Sequence, residues 1–139
     1  MTKNSGMLVE LKNYFSNRSG VAFSFLYGSY ARGTAHSESD IDIAVYFYPA
    51  VRYPVEYEED VYYDGENEIW ADLEELLGRE VELLVLNRVS ASVSASALRG
   101  TPLVIKDWKL YLDFMQIVTR EAEDYIQMIS SDFLQRCEI

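Results

Sequence analysis

Hydrophobic and polar positions alternate along this chain in two clearly different rhythms. Met7, Leu8, Leu11, Tyr14 and Phe15 recur at helical spacing, behind Asn4 or Ser5 as a helix cap and ahead of Ser19-Gly20 as a stop. Val21 to Tyr27 is a continuous apolar and aromatic run, which predicts a buried strand. Residues 30–39 are small and polar and predict a short turn or helix plus a loop. Ile41 to Tyr48 then alternates with period two. Ile41, Ile43, Val45 and Phe47 share one face, and Asp40, Asp42, Ala44 and Tyr46 share the other.

Pro49 to Tyr63, with two prolines, several tyrosines and the acids Glu56, Glu58, Glu59 and Asp60, predicts a long surface loop. Asp64 can cap the next helix, with Ile69, Leu73, Leu76 and Leu77 toward the core and Gly78 as its stop. Val81 to Leu86 predicts a third strand. A short helix follows from Ser92 to Leu98, closed by Gly100, then an extended piece at Leu103-Val104-Ile105. Trp108 to Phe133 predicts a long last helix whose apolar band holds Tyr111, Phe114, Met115, Val118, Tyr125, Ile129 and Phe133. The expected class is α+β: one small mixed β-sheet covered by helices, ending in a long helix. We expect one domain over residues 1–139, with a core at about 20–106 and the last helix at about 107–135.

Composition narrows the function. A 49% hydrophobic fraction suits a packed core, and no apolar run reaches the roughly 20 residues of a membrane span. The start, Met1 to Gly6, lacks the apolar stretch of a signal peptide, so the expected location is cytoplasmic. The lone cysteine, Cys137, excludes an intrachain disulfide framework. A net charge of −11 argues against direct binding of a long nucleic acid, which takes Lys and Arg. It is compatible with one nucleotide held through divalent cations, or with a basic protein partner. Acidity that serves only solubility is the plainer reading.

Asp40 and Asp42 are two apart, so a strand projects both carboxylates from one face. Unpaired, they repel and one keeps a proton; a hard divalent cation such as Mg²⁺ resolves this. An exposed strand with two solvated acids is the bland alternative. Gly28-Ser29 ends the preceding strand, where a glycine admits close backbone approach and a hydroxyl and N–H groups can cradle phosphate. Taken alone, it is an ordinary turn. Jointly, Gly-Ser, ten intervening residues and Asp-x-Asp should occur by chance in roughly a few sequences per thousand.

That spacing is the signature of polymerase-beta-type nucleotidyltransferases. Tyr27-Gly28-Ser29-Tyr30-Ala31-Arg32-Gly33 and Ser37-Glu38-Ser39-Asp40-Ile41-Asp42-Ile43-Ala44-Val45 resemble the matching blocks of the minimal nucleotidyltransferase (MNT) family. Residues 25–47 carry the strongest match, and a weaker one runs from Arg79 to Thr101. The resemblance implies a nucleotidyltransferase fold and transfer of AMP or another nucleoside monophosphate from a triphosphate to a hydroxyl. It implies that Gly28 and Ser29 hold the triphosphate and that Asp40 and Asp42 bind two Mg²⁺ ions, with ATP as donor. The family's third carboxylate falls at Glu82, where aspartate is more usual; Glu80 is the fallback. Arg32 either touches phosphate or pairs with nearby acids. His36 is a loop histidine with a catalytic or a merely solvated role. Tyr46, Tyr48, Tyr53 and Tyr57 suit a partner surface, a nucleotide lid or ordinary packing.

Small MNT proteins resemble the antitoxin of two-gene modules whose toxin is a helical HEPN ribonuclease. The implied activity is adenylylation of a toxin tyrosine, with the HEPN toxin as partner and room for a homodimer or a hetero-oligomer with it. Three other readings compete. A small-molecule, aminoglycoside-like enzyme usually has an extra helical domain. An antitoxin acting by binding alone would fit the Glu82 departure. A polymerase needs a basic channel, and the chain has none in its pattern.

Overall fold

The structure, a computed structural model, describes residues 5–35, 40–49 and 62–137. Along the chain come α1 (Ser5–Ser16), β1 (Val21–Tyr27), α2 (Gly28–Arg32), β2 (Ile41–Phe47), α3 (Glu66–Leu77), β3 (Val81–Val85), α4 (Ala91–Ala97), β4 (Thr101–Ile105) and α5 (Trp108–Cys137). Among the described residues the strands form one four-stranded sheet in the order β3-β2-β1-β4. β1 runs antiparallel to both β2 and β4, and β2 runs parallel to β3. The sheet is mixed and the class is α+β, as expected.

The period-two pattern of β2 explains the layering. Ile41, Ile43, Val45 and Phe47 enter one core cluster with Leu11 and Phe15 of α1 and Ile69 and Leu73 of α3. Ala44 and Tyr46 enter a second cluster on the opposite face, with Ala97 of α4 and Leu110, Phe114 and Val118 of α5. β1 is buried on both faces, which is why its sequence is a continuous apolar run rather than an alternation. β4 is an edge strand, and it accommodates Pro102 there, where a missing N–H costs nothing to the ladder. Among the described residues no helix is long and apolar enough to cross a membrane.

Some local expectations shift. Asp64 does not cap α3: Gly65 stands at the cap with φ 90° and no side-chain bond. Glu66 takes over at that end, accepting the Tyr63 N–H at 2.6 Å and pairing with both guanidinium nitrogens of Arg88. Leu76 is 42% exposed, because the core takes Leu77 in the last turn instead. The cap of α4 is Ser90, whose hydroxyl accepts the Val93 N–H. β4 begins at Thr101, two residues before the expected extended piece. Tyr46 belongs to the packing, stacked on Phe23 with centroids 4.7 Å apart, while Tyr48 is exposed. His36, Tyr53 and Tyr57 lie outside the described residues, as do Asn4, the acids of the 56–60 cluster and the side chains of Tyr125, Ile129 and Phe133.

β2 is pinned at its far end by a side chain acting as a strand. Asn87 is buried; its Oδ1 accepts the Phe47 N–H at 2.9 Å, and its Nδ2 donates to the Phe47 carbonyl at 3.0 Å. Both backbone groups lose their partner if the amide is removed. Asn87→Leu is therefore expected to cost about 2–4 kcal/mol in denaturant unfolding. A cost under about 0.5 kcal/mol would mean that water replaces both bonds.

Candidate active site

β1 ends, β2 begins and β3 begins at one corner of the sheet. Tyr27 is paired with Asp42 across the antiparallel ladder, and Asp42 is level with Glu82 across the parallel one. Asp42 points to the sheet face that carries Ala44 and Tyr46. Glu82 lies on that face too, since Val81 and Val85 belong to the opposite cluster. The side chains at 27, 42 and 82 thus stand in a row across three strands.

Gly28 completes the corner. It has φ 73°, a left-handed conformation that disfavours any side chain. A β-carbon built on it would lie 2.1 Å from Asp42 Oδ2. The Asp42 carboxylate occupies the position of the missing β-carbon, so this corner admits only glycine. The chain turns there directly from β1 into α2, which carries Ser29 and Arg32. The turn is closed behind Ser29, whose carbonyl accepts the Thr34 N–H at 2.9 Å, and Gly33 ends α2 with φ 74°. Tyr30 of α2 is buried and lies under the Arg79 guanidinium, 5.4 Å from ring centroid to Cζ.

The electrostatics of the corner are unfavourable to full ionisation. Burial raises the Asp42 carboxyl from its ordinary 3.8 to about 6. Its hydrogen bond with Glu82 and the charges of Glu82 and Asp40 push the same way, and the Arg32 charge opposes them. Two carboxyl oxygens can share a hydrogen bond only when one holds a proton. Asp42 and Glu82 thus meet across the parallel ladder, and the Asp42 carboxyl holds its proton more tightly than an ordinary carboxylate. Asp40 precedes β2 and is exposed, and Arg32 is exposed at the end of α2. Among the described residues, no group of three or more acidic, histidine or cysteine side chains is arranged to hold a metal ion. The carboxyl chemistry of the Asp42–Glu82 pair nonetheless suits a cation, since carboxylate oxygens are the hard ligands that Mg²⁺ takes.

Two members of the corner escaped the sequence reading. Tyr27 ends the predicted strand and opens the family-like block, but nothing in the sequence assigns it a role in the site; its phenol is raised to about 12 by burial first, then by Asp42 and Glu82. Gly100 was read as a helix stop. Its φ is not positive, and what it supplies is room: a β-carbon there would lie 2.2 Å from the Leu26 carbonyl oxygen and 3.0 Å from Tyr27 Cα. It lets the α4–β4 turn lie directly on the end of β1. No local signal separates such a glycine from an ordinary helix terminator.

Comparison with known families settles the lineage. The family described as Polymerase beta, Nucleotidyltransferase matches residues 9–109. The chain belongs to this nucleotidyltransferase family. The match spans Gly28, Ser29, Arg32, Asp40, Asp42 and Glu82 and ends in the first turn of α5. No curated protein matches the chain. Among solved structures, it is similar to a toxin–antitoxin crystal structure with AMP-PNP, at TM-score 0.64 and 21% identity over 94% of this chain and 98% of that one. It is also similar to a complex of tri-AMPylated Shewanella oneidensis HEPN toxin with MNT antitoxin, at TM-score 0.61 and 16% identity over 96% and 100%. The toxin–antitoxin MntA–HepT is a third likeness, at TM-score 0.57 and 17% identity over 98% and 97%. At these identities the three likenesses establish a shared nucleotidyltransferase fold.

Two outcomes follow from the geometry of this corner. Gly28→Ala is expected to cost about 3 kcal/mol of stability, of which about 1–2 kcal/mol is the left-handed backbone. In an Asp42→Ala background only that backbone part should remain, and a double-mutant cycle measures the difference. The second outcome concerns pH. Asp42 binds its proton more tightly in the fold than in the unfolded chain. Its contribution to stability is therefore complete below about pH 4 and is lost as pH rises through about 6. With a chelator present, Asp42→Asn should gain stability relative to the parent between pH 4 and 7. A difference that stays flat across that window would show that the carboxyl is not shifted.

Proposed function

We propose that this nucleotidyltransferase is a Mg²⁺-dependent antitoxin that transfers AMP from ATP to a tyrosine hydroxyl of a cognate HEPN ribonuclease toxin. The observation that carries the proposal is the corner itself, where Gly28 leaves its β-carbon space to Asp42 and Asp42 meets Glu82 across the parallel ladder. The likeness to a toxin–antitoxin structure with AMP-PNP and to a complex with tri-AMPylated HEPN toxin supports the donor and the acceptor class.

In this reading the hydroxyl oxygen attacks the α-phosphorus of ATP. A new P–O bond forms, the bond to the β,γ-diphosphate breaks, pyrophosphate leaves, and the hydroxyl proton passes to solvent. Asp40, Asp42 and Glu82 are the residues that would hold Mg²⁺. Bound there, the ions would offset phosphate charge and lower the pKa of the attacking hydroxyl. Gly28 and Ser29 present the triphosphate with backbone N–H groups at the start of α2, which have no acceptor within the helix. Arg32, exposed and close enough to influence Asp42, adds a positive charge on the solvent side. Tyr27, half-buried beside both acids, excludes water from the floor of the corner.

The net charge of −11 supports a protein acceptor over a long nucleic acid. An RNA-cleaving partner carries a basic surface, and an acidic antitoxin approaches it with favourable steering. AMP added there brings negative charge to the place where RNA phosphates must sit.

Intact mass of the toxin after incubation with this protein, ATP and Mg²⁺ tests the proposal. The toxin should gain one or more AMP units, and the Asp40→Ala/Asp42→Ala variant should add none. A stable complex with no mass gain would instead favour neutralisation by binding alone, and transfer to a small-molecule hydroxyl would favour the aminoglycoside-like reading.

A further inference from the structure

Glu82 stands on an edge strand, so only one side of its backbone is held by the sheet. β3 pairs with β2 and with no other strand among the described residues. In a parallel strand, alternate residues turn their N–H and C=O to the same side. Ile41 N–H donates to the Glu80 carbonyl at 3.2 Å, so Glu80 and Glu82 bond toward β2 and Val81 faces outward.

Val81 is nevertheless bonded on its outer side. The Trp70 indole Nε1–H donates to the Val81 carbonyl at 2.7 Å. The Val81 N–H donates to Glu74 Oε2 at 3.1 Å. Trp70 and Glu74 are one turn apart on α3, so a single helix grips both polar groups of the residue before Glu82. These are the two bonds that a further strand would make. Val81 is also the first residue of β3, the place where an edge strand frays soonest.

The grip is separate from the docking of α3. Ile69 and Leu73, fully buried, hold the helix to the sheet, whereas Trp70 remains 46% exposed. Removing the two polar contacts should leave α3 in place and loosen only the start of β3.

We propose that Trp70 and Glu74 are positioning residues for nucleotidyl transfer, clamping the outer edge of β3 at Val81 so that Glu82 stays level with Asp42. This rests on the reading of Glu82 as part of the acidic site. The clamp acts through the backbone; neither side chain touches substrate.

The test compares Trp70→Phe, Glu74→Ala and Glu74→Gln with the parent, and uses Glu82→Ala as reference. AMP transfer is measured against ATP and Mg²⁺ concentration, and amide hydrogen exchange is measured at Val81 and Glu82. Trp70→Phe and Glu74→Ala should lower kcat about tenfold. KM for ATP should stay within about twofold, because the triphosphate is held at the α2 corner. More Mg²⁺ should be needed for half-maximal rate, and exchange at Val81 should quicken. Glu74→Gln keeps an acceptor oxygen and should behave like the parent.

Unchanged kcat and Mg²⁺ dependence in both loosened variants, beside an inactive Glu82→Ala, would overturn the clamp and leave the acidic site standing. Loss in Glu74→Gln equal to that in Glu74→Ala would overturn it as well. Full activity in Glu82→Ala would remove the reading of Glu82, and the inference with it. The exchange measurement reads the grip on Val81 independently of any activity: Glu74 accepts the Val81 N–H, so unchanged exchange at Val81 in Glu74→Ala would show that no grip exists.

Discussion

The contact between Gly28 and Asp42 organises this molecule. The Asp42 carboxylate fills the space where any other residue at position 28 would carry its β-carbon. That single exclusion admits only glycine at the end of β1, where the chain has positive φ and passes directly into α2. The contact also takes part of the carboxylate out of water, and this burial is the largest cause of its raised pKa. A half-buried acid next to a second acid is a local conflict that folding alone would remove. The two-sided core around β1 and β2 is what allows it to persist. The conflict sits at the corner where β1, β2 and β3 meet, and functional sites are the usual place for such conflicts.

The larger plan was legible because it depends on local periodicity. β2 alternates apolar and mixed residues, and its two faces enter two separate clusters as the pattern requires. β1 reads as a strand buried on both sides because it has no polar face except at Ser24. Gly28, Ser29, Asp40 and Asp42 stand out because a fixed spacing across one strand–turn–strand unit is written in consecutive residues. What escaped is non-local. Tyr27 joins the site through its register with Asp42, and Gly100 joins it through contact with the Leu26 carbonyl. Asp64 looked like a cap, yet Glu66 captures the chain start because it also has Arg88 to pair with. None of these choices can be read without the tertiary partner.

Charge gives the site its direction. The chain carries 23 acidic and 12 basic residues, so its field repels polyanions at long range. A nucleoside triphosphate must therefore be held by local features strong enough to act against that field. The corner offers backbone N–H groups at the start of α2, Arg32 on the solvent side, and the closely placed acids Asp42 and Glu82. The same field draws a basic protein surface toward the molecule.

Glutamate at position 82 now has a physical account. Neighbouring strands lie about 4.8 Å apart, and level residues on one face of a parallel pair project side by side. A longer side chain reaches across that gap, and here it meets Asp42. The extra methylene also adds a rotatable bond, whose freedom opposes a fixed ligand geometry. Shorter acids in this position draw their precision from the side chain itself. A glutamate must draw it from a backbone that does not move, and Val81, bonded by Trp70 and Glu74 on one side of the strand while Glu80 and Glu82 face β2 on the other, is where this fold holds the backbone still. The departure at position 82 is thus coherent with the residues around it: the reach is gained in the side chain, and the order is restored one residue earlier.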